Sequence, residues 1–166
     1  NNIKDERVLI LPKSPYGHAY KWKSGIGTAW PVAFVLIEEP IVFYSSSPTL
    51  KSENIINEVY ASLGKERNER FFNLIAMLNI RYLLQHNDLD YENSLSGSTF
   101  SPNEVKEILS FYPEISKIKT FGELDIYEVK EPYRQEKFFG AGNIIVSNKE
   151  FKEGLNDKTF SLVKNS

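Results

Sequence analysis

Cysteine is absent from the 166 residues, which excludes disulfide bridges and cysteine-ligated zinc. Long apolar runs are missing as well. The longest extends from Ala29 to Ile37 and contains Pro31, whereas a membrane helix needs roughly 20 apolar residues. The sequence also lacks an excess of positive charge, because 20 Lys and Arg stand against 22 Asp and Glu. That balance argues against nucleic acid as a partner.

Signatures of catalysis are also missing. The two histidines, His18 and His86, have no second metal-binding residue at helical or tight-loop spacing. No Gly-x-Ser-x-Gly nucleophile motif occurs. Gly25 and Gly27 have the spacing of a dinucleotide-binding loop, but the bulky Trp30 occupies the third glycine position. We therefore assign no catalytic residue, no metal and no cofactor.

The composition is that of a folded domain. Hydrophobic residues make up 41% of the chain, and its 11 Phe, 9 Tyr and 2 Trp supply large apolar area. The length suits one domain. Since the first residue is Asn1 and no leader peptide or membrane span is visible, we expect a single soluble domain, residues 1–166, excised from a larger membrane protein. Its main body should cover residues 1–131, with a linker, strand and tail at 132–166.

Sequence patterns predict alternating strands and helices. Predicted strands cover residues 7–12, 40–44, 80–85 and 143–147, and predicted helices cover 52–63, 66–78, 101–112 and 149–155. Residues 115–121 and 124–129 should form a hairpin around Gly122-Glu123. Residues 13–30 are expected to form a long loop, and residues 32–37 a strand or a helical turn.

This order of elements predicts an α/β fold. We expect a mixed sheet with helices packed against it in two or three layers, an α+β arrangement being the alternative. The strands around Val8 and Tyr82 should be parallel, because helices connect them.

Two groups of residues are candidates for ligand binding. The denser group is polar and aromatic: Tyr16, His18, Tyr20, Trp22 and Trp30. Flat rings with polar tips stack on sugars, so this group suggests a carbohydrate groove. The alternative is a loop anchored to its own core by these rings.

The second group is His86 with Asp88, which follows a predicted strand. Functional side chains in α/β folds often lie at the carboxyl ends of strands. The alternative interpretation is a solvated strand end.

Two stretches carry a resemblance to a known class of proteins. The first is Glu6-Arg-Val-Leu-Ile-Leu-Pro12, followed by Tyr16-Gly17 and Tyr20-Lys-Trp22. The second is Met77-Leu-Asn-Ile-Arg-Tyr82-Leu-Leu, followed by Phe121-Gly-Glu-Leu-Asp-Ile-Tyr127-Glu-Val. In order and spacing they resemble the soluble extracytoplasmic domains of polytopic membrane glycosyltransferases of the GT-C class, including arabinofuranosyltransferase-like and related uncharacterised proteins.

The resemblance implies a non-catalytic accessory domain that binds or orients a glycan or a partner domain. In this class the catalytic carboxylate lies in a loop between membrane helices, so no catalytic residue is carried over to this chain. The resemblance further implies membrane attachment through other segments, an extracytoplasmic location, and a glycan or lipid-linked sugar as partner of the parent protein. Two other functions stay open: a structural or protein-interaction domain, and a small stand-alone α/β enzyme.

Overall fold

A computed structural model describes residues 6–13, 18–22, 25–29, 40–43, 51–92 and 100–130. For residues 18, 22, 26–29 and 51–53 only the backbone is described. All these residues belong to one compact unit, Asn1–Gln135. The elements predicted at 32–37, 143–147 and 149–155 lie outside the described residues. The division predicted after residue 131 stays a prediction.

A mixed β-sheet forms the centre of the unit. Its described strands are β1 Arg7–Leu11, β4 Ile41–Val42, β5 Ile80–His86, β6 Ile115–Phe121 and β7 Leu124–Val129. Within the described residues they lie in the order β4-β1-β5-β7-β6. β1 is parallel to both β4 and β5, whereas β7 is antiparallel to β5 and β6. The predicted α/β fold class, the parallel pairing of β1 with β5, and the hairpin around Gly122-Glu123 are therefore confirmed.

Three described helices accompany the sheet: α1 Lys51–Ser62, α2 Glu69–Met77 and α3 Pro102–Ser110. α2 begins three residues later than predicted, because the Asn68 side chain caps it by accepting from the Arg70 amide at 3.0 Å. α3 begins as predicted. Ser101 and Glu104 form a reciprocal capping box, and Pro102 occupies the first helical turn.

The helices pack on one face of the sheet. Gln85 Nε2 donates to the Pro102 carbonyl at 2.7 Å, which places α3 on the face of β5 that also carries Leu83. Phe71 and Phe72 of α2 and Tyr112 after α3 stack together there, with ring centroids 5.5–5.8 Å apart. These rings are fully buried, so the main core lies between sheet and helices.

The opposite face of the sheet carries a smaller apolar cluster. Val8, Ile10 and Leu84 are buried at its centre. Partly buried neighbours surround them: Ile41, Phe43, Tyr82, Leu124 and Ile126. Because side chains alternate along a strand, His86 lies on this second face and Gln85 on the helix face.

The long loop predicted at residues 13–30 is wrong in part. β2 His18–Trp22 pairs antiparallel with β3 Gly25–Ala29 to make a second sheet. The alternation of ring-bearing residues at positions 18, 20 and 22 is a period-two strand signal. The two glycines of β3, which favour loops, concealed that signal in the sequence.

Candidate functional site

Polar side chains gather on both faces of the sheet where β5 ends. On the face opposite the helices lies the His86 cluster, defined as Tyr20, Lys21, His86, Asp88 and Asp90. On the helix face lies the Asp125 cluster, defined as Gln85, Asn87, Lys106, Lys117, Thr120 and Asp125. The alternation of β5 side chains separates the two clusters, since Gln85 and His86 point to opposite faces.

Backbone pairing fastens the β2–β3 hairpin to the segment that follows β5. The Lys21 amide donates to the Asp88 carbonyl at 2.7 Å, and the Asp90 amide donates to the Ala19 carbonyl at 2.8 Å. Tyr20 and Leu89 form an antiparallel bridge between them. The segment after β5 thus continues the small sheet on the far side of β2 from β3.

The His86 cluster is centred on two buried rings. Tyr20 is 1% exposed and His86 is 2% exposed, and their ring centroids are 5.3 Å apart. His86 Nδ1 lies 3.3 Å from Asp88 Oδ1. A carboxylate at Nδ1 favours a proton on that nitrogen.

The His86 cluster contains a protonated phenol, that of Tyr20, and an ion pair. Burial raises the pKa of Tyr20, and the nearby Asp88 carboxylate raises it further, so the hydroxyl keeps its proton at neutral pH. The ammonium group of Lys21 lies 3.3 Å from the carboxylate of Asp90. The Asp90 carboxylate is buried, whereas the Lys21 side chain is 60% exposed.

One ring nitrogen of His86 stays unpaired among the described residues. His86 Nε2 is buried and meets no hydrogen-bond partner among the residues that the structure describes. Leaving a buried polar atom unpaired costs about 1–3 kcal/mol. Such an atom calls for an explanation beyond the local packing.

The carboxylate at the centre of the Asp125 cluster is well paired, whereas Gln85 Oε1 in the same cluster is buried and meets no hydrogen-bond partner among the described residues. The buried Asp125 carboxylate accepts from Thr120 Oγ1 at 2.6 Å and from Asn87 Nδ2 at 3.0 Å. Lys117 and Lys106 approach it to 3.6 and 3.8 Å. Burial pushes the pKa of Asp125 upwards, but the hydrogen bonds from Thr120 and Asn87 and the two ammonium groups outweigh burial, so the pKa is lowered.

The predicted contact residues are described to different extents. Tyr16 and Trp30 lie outside the described residues, and only the backbone of His18 and Trp22 is described, at the two ends of β2. Tyr20, His86 and Asp88 are described and adjacent. Two groups predicted separately from the sequence are therefore brought together at Tyr20 and His86.

Sequence reasoning did not single out the Asp125 cluster. Its polar residues come from β5, α3, β6 and β7, so they are far apart in the sequence. One signal was present. Gln85 and Asp125 follow or precede buried residues of the helix face, Leu83 in β5 and Tyr127 in β7.

Within the described residues, no group of three or more His, Asp or Glu side chains is arranged to hold a metal ion. None of the helices in that part of the chain is long and apolar enough to cross a membrane.

No family model and no curated protein matches this sequence. Solved structures, however, include the same arrangement of sheet and helices as part of a glycosyltransferase. That protein is the arabinofuranosyltransferase AftD from Mycobacteria, with a TM-score of 0.62 at 20% sequence identity. The match covers 78% of this chain and 11% of that protein.

A mutant of the same arabinofuranosyltransferase gives TM-scores of 0.61 and 0.60 in two classes of particles, at 20% and 21% identity. These matches cover 76% and 78% of this chain and 12% of the mutant protein. This likeness shows that the chain has the fold of one part of AftD. At the level of fold, it confirms the resemblance that the sequence motifs indicate. The C-terminal globular domain of an oligosaccharyltransferase from Archaeoglobus fulgidus reaches a TM-score of only 0.40, at 17% identity over 77% of this chain and 88% of that chain, which is too low to support an argument.

Proposed function

We propose that this chain is a non-catalytic accessory domain of a membrane glycosyltransferase-like protein. The observation that carries the proposal is the TM-score of 0.62 with an arabinofuranosyltransferase over 78% of the chain. The order of the Leu-Pro strand and the Asn-Ile-Arg-Tyr strand in the sequence supports the same class. The parent protein is anchored in the membrane by other segments and presents this domain on the extracytoplasmic face.

The domain binds or orients a glycan, or the sugar part of a lipid-linked sugar, through the β2–β3 hairpin and the end of β5. The residues of the proposed site are Tyr16, His18, Tyr20, Trp22, Trp30, His86 and Asp88. The backbone pairing of residues 19–21 with residues 88–90 supports this choice, because it brings both groups of candidates together at the carboxyl end of β5.

Within this set the residues have different roles. Tyr20 and His86 are buried, so they hold the hairpin in place under the contact surface. Asp88, whose side chain is 12% exposed, offers its outer oxygen to a sugar hydroxyl. The two tryptophans supply the flat rings on which sugars stack. Because AftD is an arabinofuranosyltransferase, an arabinofuranosyl sugar is the first ligand to test.

A titration of the ¹⁵N-labelled protein with an arabinofuranosyl oligosaccharide tests this proposal. We expect amide shifts confined to residues 18–22 and 86–90, and loss of these shifts in Trp22→Ala and Asp88→Ala. Phe111→Ala serves as the matched control, because Phe111 is an exposed aromatic residue at the end of α3. A lack of shifts at millimolar oligosaccharide, or equal shifts with a glucose oligosaccharide, would contradict a specific glycan site.

No observation favours a stand-alone enzyme. A serine nucleophile activated by His86 would have to reach Nε2, and within the described residues this atom has no hydrogen-bond partner. A protein-interaction role is favoured by a separate surface, the exposed edge of β6.

A further inference from the structure

β6 forms one edge of the main sheet. Among the described residues it pairs with β7 on one side and has no strand on the other. Residues 117–121 are all exposed, including two large apolar side chains, Ile118 at 50% and Phe121 at 52%. An edge strand of this kind presents unpaired backbone N–H and C=O groups to a partner.

The charge along this edge is of one sign. β6 carries Lys117 and Lys119 and no carboxylate, although the whole chain has a net charge of −2. Two carboxylates near the start of β6 are already engaged. Glu128 pairs with Arg81 at 2.8 Å, and Glu114 pairs with Arg67 at 2.7 Å. Lys117 already lies 3.6 Å from the Asp125 carboxylate, and Glu123 is exposed in the hairpin turn after β6.

Lysine and bulges on an edge strand also serve to prevent unwanted pairing. β6 has both, because its register with β7 shifts between Lys117 and Lys119 and leaves Ile118 as the extra residue. A purely protective edge, however, gains nothing from two large apolar side chains that are half exposed. Repulsion between lysines disfavours the pairing of β6 with β6 of a second copy. An acidic strand, by contrast, is attracted to this edge.

We propose that β6 binds an extended, acidic segment of a separate protein by strand addition. Backbone hydrogen bonds extend the sheet, a carboxylate of the partner lies near Lys119, and apolar residues of the partner cover Ile118 and Phe121. This surface is two strands away from β5, and the proposal does not depend on glycan binding.

Fluorescence anisotropy of a labelled decapeptide of alternating Glu and Val tests the proposal with this chain. We expect saturable binding that weakens at least tenfold in Lys119→Glu and in Phe121→Ala. Both side chains are exposed, and the Lys119 ammonium lies 4.2 Å from the centre of the Phe121 ring. Lys65→Glu makes the same change of charge elsewhere on the surface, beside Glu107, and should leave binding unchanged.

Amide hydrogen exchange identifies the mode of binding. Protection that appears at residues 117–121 when the peptide is added supports strand addition. Three results would overturn the proposal: no binding of the acidic peptide, equal binding of an alternating Lys and Val peptide, or self-association of the protein that Lys119→Glu abolishes. None of these results would bear on the glycan titration, because its readout lies at residues 18–22 and 86–90.

Discussion

Two buried polar groups near the end of β5, one on each face of the sheet, differ in their hydrogen bonding. On the helix face, the Asp125 carboxylate receives two hydrogen bonds and two ammonium groups. On the other face, His86 Nε2 has no partner among the described residues. Both groups are at most 2% exposed. Burial alone therefore does not explain the difference.

We infer from this difference a structural role for Asp125 and a binding role for His86. The hydrogen bonds of the buried Asp125 carboxylate join β7 to β6 and to the residue after β5, and Lys106 of α3 lies nearby, so Asp125 stabilises the fold. A buried imidazole with one nitrogen unpaired makes the fold less stable than it can be. Natural proteins tolerate such a loss chiefly where a residue serves another purpose.

Tyr20→Ala breaks the contact between the hairpin and the sheet and should have the largest effect. Removing a fully buried aromatic side chain costs about 3–5 kcal/mol of unfolding free energy, and here it also uncovers His86. Urea unfolding measures this loss. Tyr20→Phe keeps the ring and should lose much less. A loss below about 1 kcal/mol for Tyr20→Ala would show that the hairpin does not depend on this ring.

Asp125→Ala tests the well-paired cluster. It leaves the Thr120 and Asn87 donors without their acceptor and two lysines beside an apolar site, so we expect a loss of about 2–4 kcal/mol in urea unfolding. Lys106→Ala is the control. Its ammonium lies 3.8 Å from Asp125 and the side chain is 44% exposed, so its loss should stay below about 1 kcal/mol. Equal losses for the two variants would contradict a central role for Asp125.

The pH dependence of stability sharpens the same comparison. Because the folded protein holds the pKa of Asp125 below its ordinary value, the unfolded chain binds a proton at this residue first as the pH falls. The stabilisation from Asp125 is complete above the unfolded pKa of about 3.9 and is lost as the pH falls through the lower folded pKa.

Unfolding free energy measured between pH 6 and pH 2 should therefore fall more steeply for the natural protein than for Asp125→Asn. The difference in slope has an upper limit of about 1.4 kcal/mol per pH unit, the value for one proton. Parallel curves for the two proteins would show that Asp125 does not contribute to the acid sensitivity.

Local patterns predicted much of this fold. The capping box of α3 and the alternating apolar positions of β7 are complete within a few residues, so they are visible without the rest of the chain. The β2–β3 hairpin was not predicted because β3 contains two glycines, and because β2 is paired on its other side with residues 88–90, which are distant in the sequence. The spacing of residues along the chain does not indicate the contact between β2 and residues 88–90.

The candidate site shows the same limit. His86 and Asp88 were predicted as a pair because they are two residues apart at the end of a strand, and the structure places them 3.3 Å apart. Asp125 was not predicted as a site residue because the residues that contact it, Asn87, Thr120 and Lys106, are 5 to 38 positions away in the sequence. The sequence also left open whether Tyr20 is a contact residue or an anchor, since both use the same amphipathic ring.

His86→Leu is the most direct test of the comparison and has the smallest expected effect on stability. Leucine fills much of the space of the imidazole and removes the unpaired Nε2 together with the 3.3 Å contact to Asp88. Removing the unpaired nitrogen stabilises the fold, and losing the contact to Asp88 destabilises it. The unfolding free energy should therefore change by less than about 1 kcal/mol in either direction. Glycan-induced shifts at residues 86–90 should nevertheless disappear, because Asp88 loses the group that orients it. If His86→Leu instead costs as much as Asp125→Ala, the imidazole is a structural element like the carboxylate, and the two buried groups do not differ in role.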